Sequence, residues 1–573
     1  MRTASLVVLV AIMLPLGLGQ FWAYQLGLYA LYATAAVGLG LCWGQGGFLP
    51  LGQALFFGVA AYLSGLVFIA FRGIPAIAVV VMPFIAIVSG GLAYAIGFVV
   101  FRRPGESGAY FSMITLALSL LAFQIATSWN SLTGGFNGLK GIPGLPGLDD
   151  ISDVYYVSAA ALLAVLALAG WLFNAPIGVL WRALAQNERR LQLFGYDTNQ
   201  LKSVAFGVSG LMAGIGGVIY APQQAIVTPQ VVGFGLSADL VIWVAVGGRR
   251  SLLGPVVGTL LVGSLTSQLR DTLPFWEVLM AVFFIAIVLA FPQGITGLAE
   301  PLARLLRGQR VRPPIPAAEN PIDKPPARLT LDAVGVRIGE VTILDRLSLD
   351  FDQAGIFCVI GPNGAGKTSM FNVVSGELAT ASGRIGLGET CVNGLAPHRV
   401  TRLGVGRKLQ IPSVFPGLTI ADNLAIALWS GRAARLQLLD PRLRRWTSPV
   451  LEELKGRYPF LLSDARKAAE LSHGEQQILE LAMALLTEPR ILLLDEPCAG
   501  LSPDETSAVI DLIRWAARRL GGATIVIEHD MSLVKELAEL VYVLHNGTLL
   551  AKGSVAAVQA DPAVRAVYVG GEK

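Results

Sequence analysis

The chain has 573 residues, 54% of them hydrophobic and 14% charged. The length excludes a single domain, and a net charge of +4 is too small for a nucleic-acid surface. Charge is also uneven: 22 of the Lys, Arg, Asp and Glu residues lie in 1–300 and 60 in 301–573, so a membrane-like half precedes a half with soluble charge density.

The apolar run 5–19 behind Arg2 reads as a first transmembrane helix. A signal peptide is the competing reading of a basic start with a short apolar core. Further candidate spans are 21–42, 53–71, 75–100, 108–128, 154–173, 201–221, 231–247, 251–269 and 274–291. The expectation is an all-α polytopic bundle of about 8–10 transmembrane helices, near 20 residues per crossing. Arg102-Arg103, the segment with Arg182, Arg189, Arg190 and Lys202, and Arg249-Arg250 belong on the cytoplasmic side. The loop 129–153, with one Lys and three Asp, faces outside. Both termini then lie inside, in a plasma (inner) membrane protein.

Two stretches interrupt the apolar pattern. Trp43–Gln53 is rich in Gly, Pro and Gln, and reads equally as a tight loop or as broken backbone along a solute path. Gly247–Pro255 is a second such break. In the cytoplasmic segment 174–202, Arg182–Gly195 is a short amphipathic stretch ending at a glycine. On its own it reads as a solvated loop helix or a docking surface. Residues 308–328 hold six prolines among polar residues, an extended linker. The expected domains are therefore 1–307 in the membrane, the linker 308–328, and a soluble domain 329–573. Cys42, Cys358, Cys391 and Cys498 are scattered without metal-ligand spacing, as in a reduced compartment.

In the soluble half, strands and helices alternate as in an α/β P-loop fold. The apolar run Ile356–Ile360 precedes Gly361-Pro362-Asn363-Gly364-Ala365-Gly366-Lys367-Thr368-Ser369, with the spacing of a phosphate-cradling P-loop. Its glycines let backbone N–H groups close around phosphates at a helix N-terminus. Lys367 is placed for the β- and γ-phosphates, and the Thr368 hydroxyl for Mg²⁺. Ile491–Leu494 runs into Asp495 and Glu496: a carboxylate for Mg²⁺, then one for the attacking water. Ser472, His473, Gly474 and Glu475 lead into a helix beginning near Glu475, and the Ser hydroxyl with the N-terminal amides offers a second anion-binding end. Gln410 lies between the P-loop and that motif, and His529 follows the strand Thr524–Ile527.

In this order the motifs resemble the ATP-binding cassette family over 329–573, with Ala499–Asp504 as its D-loop. The resemblance implies an ATP hydrolase using ATP and Mg²⁺. Glu496 would be the general base, Gln410 a Mg²⁺ and water sensor, and His529 a γ-phosphate clamp; Thr368, Gln410 and Asp495 would hold the metal. Ser472–Glu475 would act in trans on the P-loop of a second ATPase. The membrane half resembles the permeases of branched-chain (hydrophobic) amino-acid importers. Leu51–Gly58, Thr133–Leu139, Ala205-Phe206, Gly214–Tyr220 and Val246–Gly248 carry that likeness. It implies a coupling helix around Asn187, Glu188, Arg189 and Gly195. It also implies as partners a second permease and ATPase, in a hetero-oligomer or homodimer, and an extracytoplasmic solute-binding protein. The chain departs from the pattern at Ile338, where an aromatic residue usually meets adenine, and at Lys408-Leu409. Val241–Arg249 and Val541–Gly547 look more like the urea and short-amide branch, so the solute is either a branched-chain amino acid or a urea-like amide. An exporter half is a third alternative, disfavoured by the many short, Gly-broken spans.

Overall fold

The computed structural model describes residues 2–102, 108–148, 150–291, 293–299, 314–317 and 328–569. Most of the proline-rich stretch 308–328 lies outside them. The chain divides into two compact units: one of Met1–Ala185 with Asn199–Val311, the other of Gln186–Thr198 with Arg312–Lys573.

The first unit is a bundle of apolar helices. Six described helices are long and apolar enough to cross a bilayer: Gly19–Gln45, Gln53–Ala70, Pro75–Val100, Ala109–Ser128, Asp153–Asn174 and Thr198–Gln224. Hydropathy along the sequence predicts ten runs. The first two fall within Arg2–Gly40, two helical stretches that meet at a kink at Gly19, where φ is 78° and ψ 169°. The runs 231–247 and 274–291 fall on helices of 14 and 15 residues, Phe234–Gly247 and Trp276–Ala290. The run 251–269 lies in Gly254–Thr272, whose end carries Gln268, Arg270 and Asp271.

The two glycine-rich breaks meet each other. The helix Arg2–Gly40 passes into a π-helical turn, Leu41–Gln45. A Cβ on Gly44 would lie 1.7 Å from Arg249 O. Gln45 Nε2 donates to Arg250 O at 3.1 Å, and the Arg249 guanidinium lies 5.0 Å over the Trp43 ring. Neighbouring helices satisfy other groups of the opened backbone. Thr115 Oγ1 accepts from Leu51 N at 3.1 Å, and Ser112 Oγ donates to Leu49 O at 2.6 Å. Protein thus covers the irregular backbone, which packs against the Arg249-Arg250 turn.

The second unit is α/β. Its six-stranded sheet runs in the order Thr548–Gly553, Leu540–His545, Gly355–Ile360, Ala523–Ile527, Ile491–Asp495, Val405–Lys408. Only the edge strand Thr548–Gly553 is antiparallel to its neighbour. Ile491–Asp495 and Ala523–Ile527 are buried throughout, as expected of central parallel strands. A second, antiparallel sheet orders Val341–Phe351, Leu329–Ile338, Ser382–Leu387 and Thr390-Cys391. Leu331, Val334, Leu344, Phe351, Val359, Phe371, Leu493 and Ile525 belong to one core cluster that draws on both sheets.

Candidate nucleotide and coupling sites

Four adjacent parallel strands deliver the candidate residues to one edge, their carboxyl ends, where open α/β sheets hold ligands. Gly355–Ile360 leads into the P-loop, and Ile491–Asp495 ends on the acidic pair. Ala523–Ile527 leads to Glu528-His529, and Val405–Lys408 to Leu409-Gln410. The register aligns them, with Asp495 opposite Ile527 and Ile527 opposite Val359.

The P-loop turns into the helix Lys367–Val374. Gly366 has φ 94°, a backbone conformation that calls for glycine, and Leu344 Cδ2 and Ile343 O crowd the place of a Cβ. Lys367 is buried, and its Nζ donates to Gly361 O at 2.7 Å and Pro362 O at 3.0 Å. Burial holds its ammonium below the usual lysine range, while Glu496 and Asp495 pull it back up. Thr368 stands exposed in the first helical turn.

Glu496 is where the candidates converge. Gln410 Nε2 donates to its Oε2 at 2.8 Å, and His529 Nδ1 lies 3.7 Å from its Oε1. Its backbone is left-handed, φ 42°, a conformation that L-residues adopt rarely and mostly at functional turns. Its amide donates to Ile527 O at 3.0 Å, which fixes the turn to the neighbouring strand. Asp495 is 2% exposed; burial raises its carboxyl above the ordinary range, and Arg407, 3.8 Å away, opposes that shift. Among the described residues no cluster of three or more His, Cys, Asp or Glu could cage a metal. The oxygen donors of Thr368, Asp495 and Gln410 instead suit a hard cation that brings phosphate oxygens and waters of its own.

Ser472–Glu475 are held at a different place, the N-terminus of the helix His473–Leu486. Ser472 and Glu475 cap it reciprocally, and Arg466 Nη1 lies 3.1 Å from Glu475 Oε1. Gly474 packs against Glu505, which a Cβ would meet at 2.2 Å. The Ser472 and His473 side chains are exposed.

The segment Gln186–Thr198 belongs to this unit although helices of the bundle flank it on both sides. Asn187 caps the helix Glu188–Gln192 and donates through Nδ2 to Ser413 Oγ at 2.9 Å. Glu188 lies in its first turn, and Arg189 pairs with Glu377. Gly195, φ 82°, closes the segment, its carbonyl accepting from Arg402 Nε at 2.8 Å. Ser430 Oγ donates to Phe194 O at 2.5 Å, and Tyr196 Oη to Ile426 O at 2.7 Å.

Sequence reasoning gave the buried charge of the segment, Arg190, no part beyond marking the cytoplasmic side. Arg190 is 0% exposed, donates to Arg407 O at 2.8 Å and lies 4.4 Å over the Phe194 ring. Its counter-ion is Glu480, also 0% exposed, in the helix His473–Leu486. A carboxylate inside the apolar run Ile478-Leu479-Glu480-Leu481 was the available signal. Lys408, unusual in the sequence pattern, is fully buried and interacts electrostatically with Glu480. Glu528, beside His529, is 2% exposed; burial pushes its carboxyl up to about 7.

The permease component of the branched-chain amino acid transport system, as a family, matches residues 22–291, and the ABC transporter family matches 344–499. The LivG high-affinity branched-chain amino acid transport ATP-binding protein of Salmonella typhimurium is 35% identical over 249 residues, covering 42% of this chain and 97% of that protein. The Escherichia coli LivG is 34% identical with the same coverage. The BraF protein of Pseudomonas aeruginosa is 32% identical over 255 residues, again 42% and 97%. Among solved structures, a nucleotide-free ATP-binding cassette from an ABC transporter is 25% identical, covering 42% of this chain and 98% of its own, with a TM-score of 0.36.

Proposed function

Since this chain belongs to the ABC transporter family, an ATP-binding ATPase joined to a permease of the branched-chain amino acid type, we propose that it is one fused half of an ATP-driven importer. Its solute in this reading is a branched-chain or other hydrophobic amino acid, in keeping with the names of its relatives. The observation that carries the proposal is the segment Gln186–Thr198. It connects two helices of the bundle yet packs inside the ATPase unit. A movement of the ATPase that follows the nucleotide therefore has a covalent route into the bundle.

In this reading the P-loop amides and Lys367 bind the phosphates of ATP. Thr368 and Asp495, with Gln410, hold Mg²⁺, which supplies charge neutralisation on the phosphates when bound. Glu496 orients the attacking water and takes its proton. Gln410 holds that carboxylate in place through the 2.8 Å bond, and His529 stands beside it to meet the γ-phosphate. Ser472–Glu475 complete the site of a second ATPase, since their exposed helix end is an anion-binding end without a P-loop of its own. One chain offers one permease and one ATPase, so the working assembly needs a second of each, from another copy or a related subunit. It also needs an extracytoplasmic binding protein to deliver the solute. The ATPase and both termini lie on the cytoplasmic side of the inner membrane, consistent with the arginine-rich loops.

The test is ATP hydrolysis by the full chain in proteoliposomes with its co-purifying binding protein. Hydrolysis should rise when that protein carries leucine, isoleucine or valine. Stimulation by urea or acetamide alone would reassign the solute. Stimulation by lipophilic compounds without any binding protein would overturn import.

A further inference from the structure

Residues 430–447, between the helices Ile420–Trp429 and Pro449–Arg457, take no part in the nucleotide site. The stretch reads SGRAARLQLLDPRLRRWT, five arginines against one aspartate. Two arginines serve the fold: Arg432 is buried and pairs with Glu488 at 2.8 Å, and Arg444 pairs with Asp422. Arg435 and Arg442 are exposed, and Arg445 is half-buried. Between them Leu436 is 81% exposed, more than any other large hydrophobic residue among those described. Single exposed leucines are ordinary. A leucine thrust outward from a compact run of arginines has the composition of a membrane-interface segment, apolar tip toward the acyl boundary and cations on lipid phosphates.

At one end of the stretch Ser430 is bonded to Phe194 O, four residues before the 27-residue apolar helix Thr198–Gln224 begins. At the other, Trp446-Thr447 pairs in parallel with Ile315-Pro316, and Ala317 N donates to Thr447 O at 2.7 Å. Ile315-Pro316 belongs to the stretch of chain that follows the last helix of the bundle, Trp276–Ala290. Both ends of the arginine-rich stretch are thus held by hydrogen bonds within the second unit.

We propose that residues 431–446 form a lipid-binding surface of the ATPase, with Leu436 entering the inner leaflet and Arg435, Arg442 and Arg445 contacting anionic headgroups. The proposal rests on the reading of this unit as an ATPase beneath the bilayer. Its occupant follows from charge complementarity: the cytoplasmic leaflet is the anionic one.

The experiment uses the full chain in nanodiscs. Leu436→Cys in a Cys391→Ser background carries an environment-sensitive fluorophore, and the discs contain spin-labelled lipid. Leu462→Cys, at another exposed leucine, is the control site. The expected result is blue-shifted emission and quenching at 436 and neither at 462. Quenching at 436 should weaken when phosphatidylglycerol is replaced by phosphatidylcholine, and equally in the triple variant Arg435→Gln, Arg442→Gln, Arg445→Gln. A blue shift without quenching means that protein covers Leu436, and overturns the proposal; so does emission equal to the control. Quenching indifferent to lipid charge and to the triple variant overturns the role of the arginines. Binding-protein-stimulated ATP hydrolysis, measured in the same discs, separates these failures from a failure of the importer reading itself.

Discussion

Arg190 Nη2 lies 3.2 Å from Glu480 Oε1, and neither side chain touches solvent. The same carboxylate oxygen accepts from Leu409 N at 3.2 Å, one residue before Gln410. The segment between two bundle helices thus shares a buried charge with the backbone that carries Gln410 to Glu496. Removing one partner of a buried pair costs about 3–5 kcal/mol where nothing compensates the other; here Lys408, also buried, still faces Glu480 and lessens that cost. Arg190→Ala should lower the thermal unfolding midpoint of the purified protein clearly. Because buried Lys408 also faces Glu480, the compensating variant must remove all three charges: Arg190→Met, Lys408→Met, Glu480→Leu should recover most of that loss. A triple variant as unstable as Arg190→Ala would show that the charge cluster is not the source.

Glu496→Gln should keep ATP binding and lose hydrolysis by about 10²–10⁴-fold, the usual range for a positioned general base. Single-turnover hydrolysis and nucleotide affinity, measured side by side, check it. A wild-type rate would remove Glu496 from the chemistry.

Lys367→Ala deletes a buried cation that sits against the P-loop carbonyls. Charge-assisted hydrogen bonds contribute about 1.5–3 kcal/mol, so ATP affinity should fall roughly 10- to 150-fold. Calorimetric titration with ATP is the measurement, and undiminished affinity would count against the assignment.

Glu528 gives a pH signature. Its carboxyl is pushed from 4.5 up to about 7 in the folded protein. Between those values the native state holds a proton that the unfolded chain has released. Glu528 therefore makes stability fall as pH rises from about 4.5 to 7, and the fall levels off above that. Glu528→Gln should flatten this part of the stability–pH curve. Denaturation midpoints at several pH values test it, and an unchanged slope would assign the dependence to other groups.

In the bundle, Gly44→Ala would set a Cβ 1.7 Å from Arg249 O. Backbone cannot yield as a side-chain tip can, and overpacking of this kind costs about 1–3 kcal/mol or more. The variant should inactivate at lower temperature, while Gly91→Ala, with nothing within 4 Å, should not.

The nucleotide site was legible because its motifs are local: a few residues at fixed spacing on a strand–turn–helix. What joins Gln410, Glu496 and His529 is pairing between strands far apart in sequence, and no spacing encodes that. The left-handed backbone of Glu496 left no trace in residue type, since glutamate has no preference for it. In the bundle, hydropathy located the apolar runs. It could not show that the first two meet at a kink at Gly19, or that the helices Phe234–Gly247 and Trp276–Ala290 are only 14 and 15 residues long. The breaks at Trp43 and Gly247 were visible as glycine clusters. That they pack on each other depends on Gly44 and Arg249, 205 residues apart in sequence.

A loop that seats on the ATPase of its own polypeptide has a consequence for supply. The ATPase and the permease are translated in fixed one-to-one proportion, however strongly the message is expressed. A change at Arg190 can be matched at Glu480 on the same inherited strand of DNA, so the fit between the two evolves as a single trait rather than as an agreement between separate genes.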